Sequence, residues 1–355
     1  MPCLGRQEPA GVVGASILGL VMTALAACHG SPIRNFDAFW SDLDQGYAVF
    51  DVRLPDQSWE ELGTAYGAAL GDHSSDSELF DQIMELARHL DDGHLTLSAD
   101  DIDRDEDAWV SVYPHYDQLY ALEDNIEDRY LDNALSSAAQ GSFAWGTIAQ
   151  VGYLSITSMD DISSSGDEDD DIQAAEAAMA QALADMGAPT GMVVDVRANE
   201  GGWDTVSLAV AQHFAGERTL AWSKQLRDGS GHDDFGTPEE VYVEACSSDC
   251  FEGSVVLLTS GGTFSAAETF ALAMRVRDQV TLLGEPSSGH FSDMTDGELP
   301  NGWNYTFSGE RYRAADGEVY EARGVPVEVP VDLDVDTLAG GQDKMLDAAL
   351  ELLGS

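Results

Sequence analysis

From residue 35 to residue 90 the apolar positions recur at helical spacing. In SELFDQIMELARHL, residues 77–90, Leu79, Ile83, Leu86 and Leu90 share one helix face, and Asp76 or Ser77 is placed to cap its start. FDAFWSDLD and WEELGTAYGAAL predict two shorter helices ahead of it. Together they predict a small helical domain over residues 28–97 that closes with DDGHLTL. Residues 98–145 follow as an acidic connecting region, with one helix near residues 120–135. Within it Asp101, Asp103 and Asp105 alternate as in a calcium loop. The sixth loop position lacks glycine and the twelfth is Val112, so the stretch reads as a solvated acidic loop.

After residue 146 the pattern changes. Apolar runs in QVGYLSIT, GMVVDVR, SVVLLTS and VTLLGE alternate with the helical patterns DIQAAEAAMAQALADMG, WDTVSLAVAQHFAG and SAAETFALAMRVR. Buried strands alternating with helices predict an α/β domain over residues 146–355. LPNGW and AADGEVY read as turns among shorter strands, with Trp303 a core residue, and GQDKMLDAALELL predicts a closing helix. No repeat of fixed period is present, and SSSGDEDDD reads as a surface loop.

Charge narrows the partners. The 355 residues carry 65 Asp and Glu against 16 Lys and Arg, a formal net charge of -49. Such a surface repels phosphate backbones, so nucleic-acid partners are not expected. Residues 1–27 read as an export signal. An apolar stretch over residues 11–27 ends in Leu25-Ala26-Ala27-Cys28, which resembles the bacterial lipoprotein signal, with lipid attached to the Cys28 thiol. The expected location is the bacterial cell envelope, with membrane contact through that anchor alone. Of the remaining cysteines, Cys246 and Cys250 in CSSDC are close enough for a local disulfide in an exported chain. Two thiols without neighbouring histidines make a poor zinc site, and no metal or organic cofactor is expected.

Three segments carry candidate chemistry. In LTSGGTFSAAE, Ser265 opens a run of helix formers after two glycines. Ser-Ala-Ala-Glu fits a capping box, with Glu268 reaching back to the cap. The same position suits a nucleophile, because amides at a helix start can stabilise an oxyanion. A serine hydroxyl needs a base, and His94 in DDGHLTL follows a helix end and a glycine. In VVDVRANEGGWD a buried strand ends in Asp195 and Arg197, readable as a structural ion pair. Gly201 and Gly202 follow and let backbone amides approach a ligand.

In this order the segments resemble the C-terminal processing peptidase family of serine peptidases, which includes the tricorn core protease. DDGHLTL is similar to its Asp-Gly-His-Thr element, VVDVRANEGG to its Asp-x-Arg-x-Asn-x-Gly-Gly loop, and TFSAAE to its Ser-Ala-x-Glu nucleophile turn. LLGEPSSG and YEARGVPVEVPVD resemble the two closing elements. The resemblance implies a crotonase/ClpP-like αβ catalytic core behind the helical N-terminal domain. It makes Ser265 the nucleophile, with the Ala266 amide and one from Gly201 or Gly202 as oxyanion donors. The processing branch places a lysine where this chain has His290, leaving that histidine as an alternative base. The tricorn branch instead implies His94 as base, with Glu321 orienting it. Residues 98–145 are too short for the PDZ module that many relatives carry. The expected activity is hydrolysis of peptide or protein substrates, with a catalytically silent binding protein or a non-peptidic acyl hydrolase as alternatives on the same scaffold.

Overall fold

The computed structural model describes residues 30–119, 122–131 and 135–354. The signal segment and Cys28 lie outside the described residues. Four helices open the chain: α1 (Pro32–Gly46), α2 (Phe50–Arg53), α3 (Trp59–Gly67) and α4 (Asp76–Ala87). The cap of α4 is Ser75 rather than Asp76 or Ser77, and it forms a full capping box with Glu78. Leu79, Ile83, Leu86 and Leu90 are all buried, as their spacing predicts.

The helices do not close on themselves. Their core continues into β1 (Thr96–Ala99), which pairs antiparallel with β2 (Arg104–Asp107). Two strands from late in the chain complete this four-stranded sheet: β12 (Asn304–Ser308) pairs with β1, and β11 (Met294–Glu298) with β12. Trp303, Tyr305 and Phe307 therefore pack with Phe36, Phe39 and Phe80. Two boundaries expected from the sequence change accordingly. Residues 98–107, expected in an acidic connector, are partly strand, and residues 294–308, expected in the α/β domain, belong to the N-terminal unit. Alternating large side chains on β12 explain the recruitment, since the helices need an apolar sheet face to cover. LPNGW is the β11–β12 turn, and Trp303 is buried with its indole N–H donated to Asp101.

Helices α5 (Tyr116–Leu119) and α6 (Leu122–Arg129) lead into the main sheet. Its first strands are β3 (Ser136–Ala138), β4 (Phe143–Ile148), β5 (Val151–Ile156) and β6 (Gly191–Asp195). With β9 (Ser254–Thr259), β10 (Val280–Gly284) and β14 (Val329–Pro330) they lie in the order β14-β10-β9-β6-β5-β4-β3. Pairing from β5 to β14 is parallel, and β3 and β4 add an antiparallel edge. Every residue of β5 and β6 is buried, which is why they read as unbroken apolar runs.

Helices α7 (Glu168–Met186), α8 (Asp204–Gln212) and α9 (Ala266–Arg275) contribute to the core on one face of the sheet. The other face is covered by residues of α5, α6, α10 (Val335–Ala339) and α11 (Lys344–Leu352). A third sheet, β13-β7-β8, joins β7 (Thr219–Leu226), β8 (Glu239–Val243) and β13 (Glu310–Ala314). Cys246 and Cys250 form a disulfide just after β8.

One buried ion cluster ties the end of the chain to the sheet. Arg197 is fully buried and donates to both oxygens of Asp343, at 3.0 and 2.7 Å, and to Asp195 at 2.9 Å. Tyr153 donates to the other Asp195 oxygen at 2.9 Å, and Asp343 caps α11. Arg197→Ala would strand two buried carboxylates. It is expected to lower stability by about 3–5 kcal/mol, measured by chemical denaturation against the parent protein.

Candidate active site

Ser265 stands where β9 turns into α9. The turn is stitched to the loop after β6: Ser260 Oγ donates to the Arg197 carbonyl at 2.8 Å, Thr263 Oγ1 to that of Val196 at 2.9 Å, and the Phe264 amide to that of Asn199 at 3.0 Å. Ser265 sits at φ 55°, ψ -123°, and its side chain makes no capping hydrogen bond. An N-cap normally occupies the extended region, so this backbone excludes the capping-box reading. Glu268 confirms that exclusion. Its carboxylate accepts from Ser287 Oγ (2.7 Å), Ser288 Oγ (2.9 Å), the Gly289 amide (2.7 Å) and the His290 amide (2.6 Å). Burial pushes this carboxyl up to about 7, against the donors that pull it down.

Gly201 presses directly on the serine. At φ 102° a side chain there would place its Cβ 2.6 Å from Ser265 Cβ and 2.9 Å from the Ala266 nitrogen. The two glycines differ in what their amides do. The Gly201 N–H is donated to Asn199 Oδ1 at 2.8 Å, while the Asn199 amide group holds the Ile156 carbonyl. Neither the Gly202 nor the Ala266 N–H donates to a backbone or side-chain acceptor among the described residues. Of the two glycines, Gly202 is the one with an amide to offer a ligand.

His94 reaches the site from the other unit, between α4 and β1. Its backbone is clamped: the amide donates to Asp92 Oδ1 at 2.9 Å, and the carbonyl accepts from Thr306 Oγ1 at 2.7 Å. The ring is buried, meets Phe264 edge-on at 4.9 Å, and lines one cavity of about 540 Å³ with Ser265 and Gly202. Burial pushes the imidazole down to about 4, with Arg53 adding to that and the Asp92 charge opposing it. The ring is therefore neutral at physiological pH. Its Nδ1 is buried without a hydrogen-bond partner.

The resemblance makes Glu321 the residue that orients His94, and its own hydrogen bonds run to Arg53 and Phe291. Its Oε1 accepts from Arg53 Nε at 2.8 Å and from Arg53 Nη2, and its Oε2 accepts from the Phe291 amide at 3.0 Å. It makes no hydrogen bond to the His94 ring. Arg53, at the end of α2, also donates to the carbonyls of Asp91 and Gly289. Tyr47 fixes the second Asp92 oxygen at 2.9 Å. The carboxylate nearest His94 along the chain is thus Asp92, with Arg53 and Glu321 behind it. Asp92 lies within DDGHLTL, whereas Arg53 lies in no recognisable motif and is not apparent from the sequence. The signal available was the rarity of basic residues in so acidic a chain.

His290 is also buried. Its ring stacks on Phe264 at 4.8 Å and meets Trp109 at 4.9 Å, while Nδ1 lies 3.3 Å from Ser288 Oγ. It is not among the residues lining the cavity that holds Ser265.

A mixed sheet with helices on both faces and a serine at the turn out of a parallel strand defines an α/β fold of the crotonase/ClpP-like type. The chain belongs to peptidase family S41, whose family model matches residues 150–331. A putative peptidase from Parabacteroides merdae ATCC 43184 superposes with a TM-score of 0.79 at 27% identity, covering 92% of this chain and 98% of that one. Mature CPAF complexed with lactacystin superposes with a TM-score of 0.67 at 9% identity, covering 93% and 98%. The carboxy-terminal processing protease CtpA of Bacillus subtilis (strain 168) is 26% identical over 143 residues, 40% of this chain. That match spans 29% of the length of CtpA.

Gly201→Ala would force a Cβ into Ser265 at a φ that L-residues avoid. The expected cost is at least about 2 kcal/mol, read as a fall in the thermal unfolding midpoint. An unchanged midpoint would show that this loop does not press on the serine.

Proposed function

We propose that this protein is a serine endopeptidase of the cell envelope, with Ser265 as nucleophile and His94 as general base. The observation that carries the reading is the Ser265 hydroxyl, released from any capping bond and sharing one cavity with a neutral imidazole. The hydroxyl attacks a peptide carbonyl while His94 takes its proton. The oxyanion is received by the Ala266 and Gly202 amides, at a helix start where N–H groups lack partners. His94 then gives the proton to the leaving amine, and water repeats the sequence on the acyl-enzyme. Asp92 acts as a positioning residue, holding the His94 backbone and favouring the transient imidazolium through its charge. Arg53 and Glu321 brace it from behind.

Membership of peptidase family S41 and the likeness to a putative peptidase at 27% identity support peptide bonds as the substrate. A fluorophosphonate probe is expected to label the protein, and Ser265→Ala to abolish labelling. His94→Ala should slow labelling by about 10²-fold or more. His290→Phe, which keeps the stack between Phe264 and Trp109, should leave it nearly unchanged. The base works only when unprotonated, so the rate should hold from pH 7.5 to 5.5 and fall as pH drops through about 4. A histidine with an ordinary pKa near ~6.5 would already lose about tenfold at pH 5.5. Labelling that survives Ser265→Ala would sink the nucleophile assignment.

The envelope location rests on the lipoprotein-like signal ending at Cys28. Metabolic labelling with a fatty-acid analogue should tag the full chain in a bacterial host. Cys28→Ser should remove the tag and release the protein from the membrane fraction. A tag that persists in that variant would contradict the anchor.

A further inference from the structure

The cavity that opens on Ser265 has walls of two kinds. Trp203 is 41% exposed and Met294 57%, large apolar side chains left uncovered beside the serine. Glu168, Asp204, Asp293 and Asp296 line the same cavity. Among the described residues Lys224 is the one lysine or arginine lining the same space, and it is already matched by two acidic partners. Its Nζ lies 2.6 Å from Asp293 and 3.0 Å from Glu310. His94 is neutral.

Asp204 is held by Thr269 and Tyr312, at 2.7 and 2.9 Å. Desolvation and the neighbouring Asp293 push its carboxyl up to about 7, so the cavity already resists holding all its negative charge. Asp296 projects from the exposed side of β11, and no basic residue pairs with it among the described ion pairs. A cavity lined by uncovered apolar side chains and by more carboxyl groups than cations fits a long aliphatic stem with a cationic head.

We propose that this cavity is a specificity pocket for a lysine or arginine side chain flanking the scissile bond, with Trp203 and Met294 covering the stem and Asp296 receiving the cation. The inference rests on the peptidase reading for the bond that is cut, but the pocket can be tested without catalysis. An acidic side chain would meet only repulsion there. An apolar one of equal length would gain the stem contacts without the charge.

The test uses Ser265→Ala protein and alanine-rich peptides in which one residue is walked through four central positions as lysine, norleucine or glutamate. Binding is followed by fluorescence anisotropy. At the best position lysine is expected to bind about tenfold tighter than norleucine, a difference of about 1.4 kcal/mol, and glutamate not at all. Raising the salt should erode the lysine advantage, and Asp296→Lys should reverse it toward glutamate. Equal binding of lysine and norleucine at every position would overturn the proposal, as would no measurable binding of any lysine peptide. Wild-type protein on the same peptides separates the two readings. Lysine-selective binding without cleavage leaves the pocket standing and removes the peptidase. Cleavage without a basic preference does the reverse.

Discussion

Ser265 holds a backbone conformation that an L-residue adopts at a cost of about 1–3 kcal/mol, and the rest of the site follows from how that conformation is enforced. On one side Gly201 packs against its Cβ with no room for a side chain. On the other, Glu268 anchors the first turn of α9 to residues 287–290 through four hydrogen bonds. Were Glu268 to turn back as a capping-box partner, Ser265 would relax into an ordinary cap and its hydroxyl would be spent on an amide. Sending the glutamate elsewhere leaves the Ser265 hydroxyl free of any capping bond.

The histidine comes from a different structural unit, so the site depends on how the two units dock. Arg53 is one polar connection between them. It leaves the N-terminal helices and binds Glu321, the Asp91 carbonyl and the Gly289 carbonyl together. It therefore ties the segment before His94 to the loop that Glu268 also holds. The return of β11 and β12 into the N-terminal sheet adds an apolar component, and Thr306 on β12 directly holds the His94 carbonyl. Loosening either contact would move His94 relative to Ser265 with no change near Ser265.

Much of this arrangement was legible in residue order. Long apolar runs marked β5, β6, β9 and β10 because strands buried on both faces leave no room for polar alternation. Gly201, Gly202 and Ser265 were visible because each lies in the loop that follows such a strand, and His94 because it follows a helix end and a glycine. The sequence did not reveal which partner each polar group chooses. Ser-Ala-Ala-Glu reads identically whether Glu268 bends back to its own helix start or forward to Ser287. Glu321 could be matched to a motif, yet its partner depends on Arg53, 268 residues away in sequence. The placement of β11 and β12 failed for the same reason: two short strands carry no local sign of which sheet they will join.

In the proposed mechanism one hydroxyl, one imidazole and two amides converge on a single reacting carbon. A crystal structure of the protein inactivated by a peptidyl phosphonate tests it directly. The account predicts phosphorus bonded to Ser265 Oγ, one phosphonyl oxygen within about 3 Å of the Ala266 and Gly202 nitrogens, and His94 within hydrogen-bond reach of Ser265 Oγ. An adduct on another residue, an oxygen facing away from both amides, or His290 in the place of His94 would contradict it.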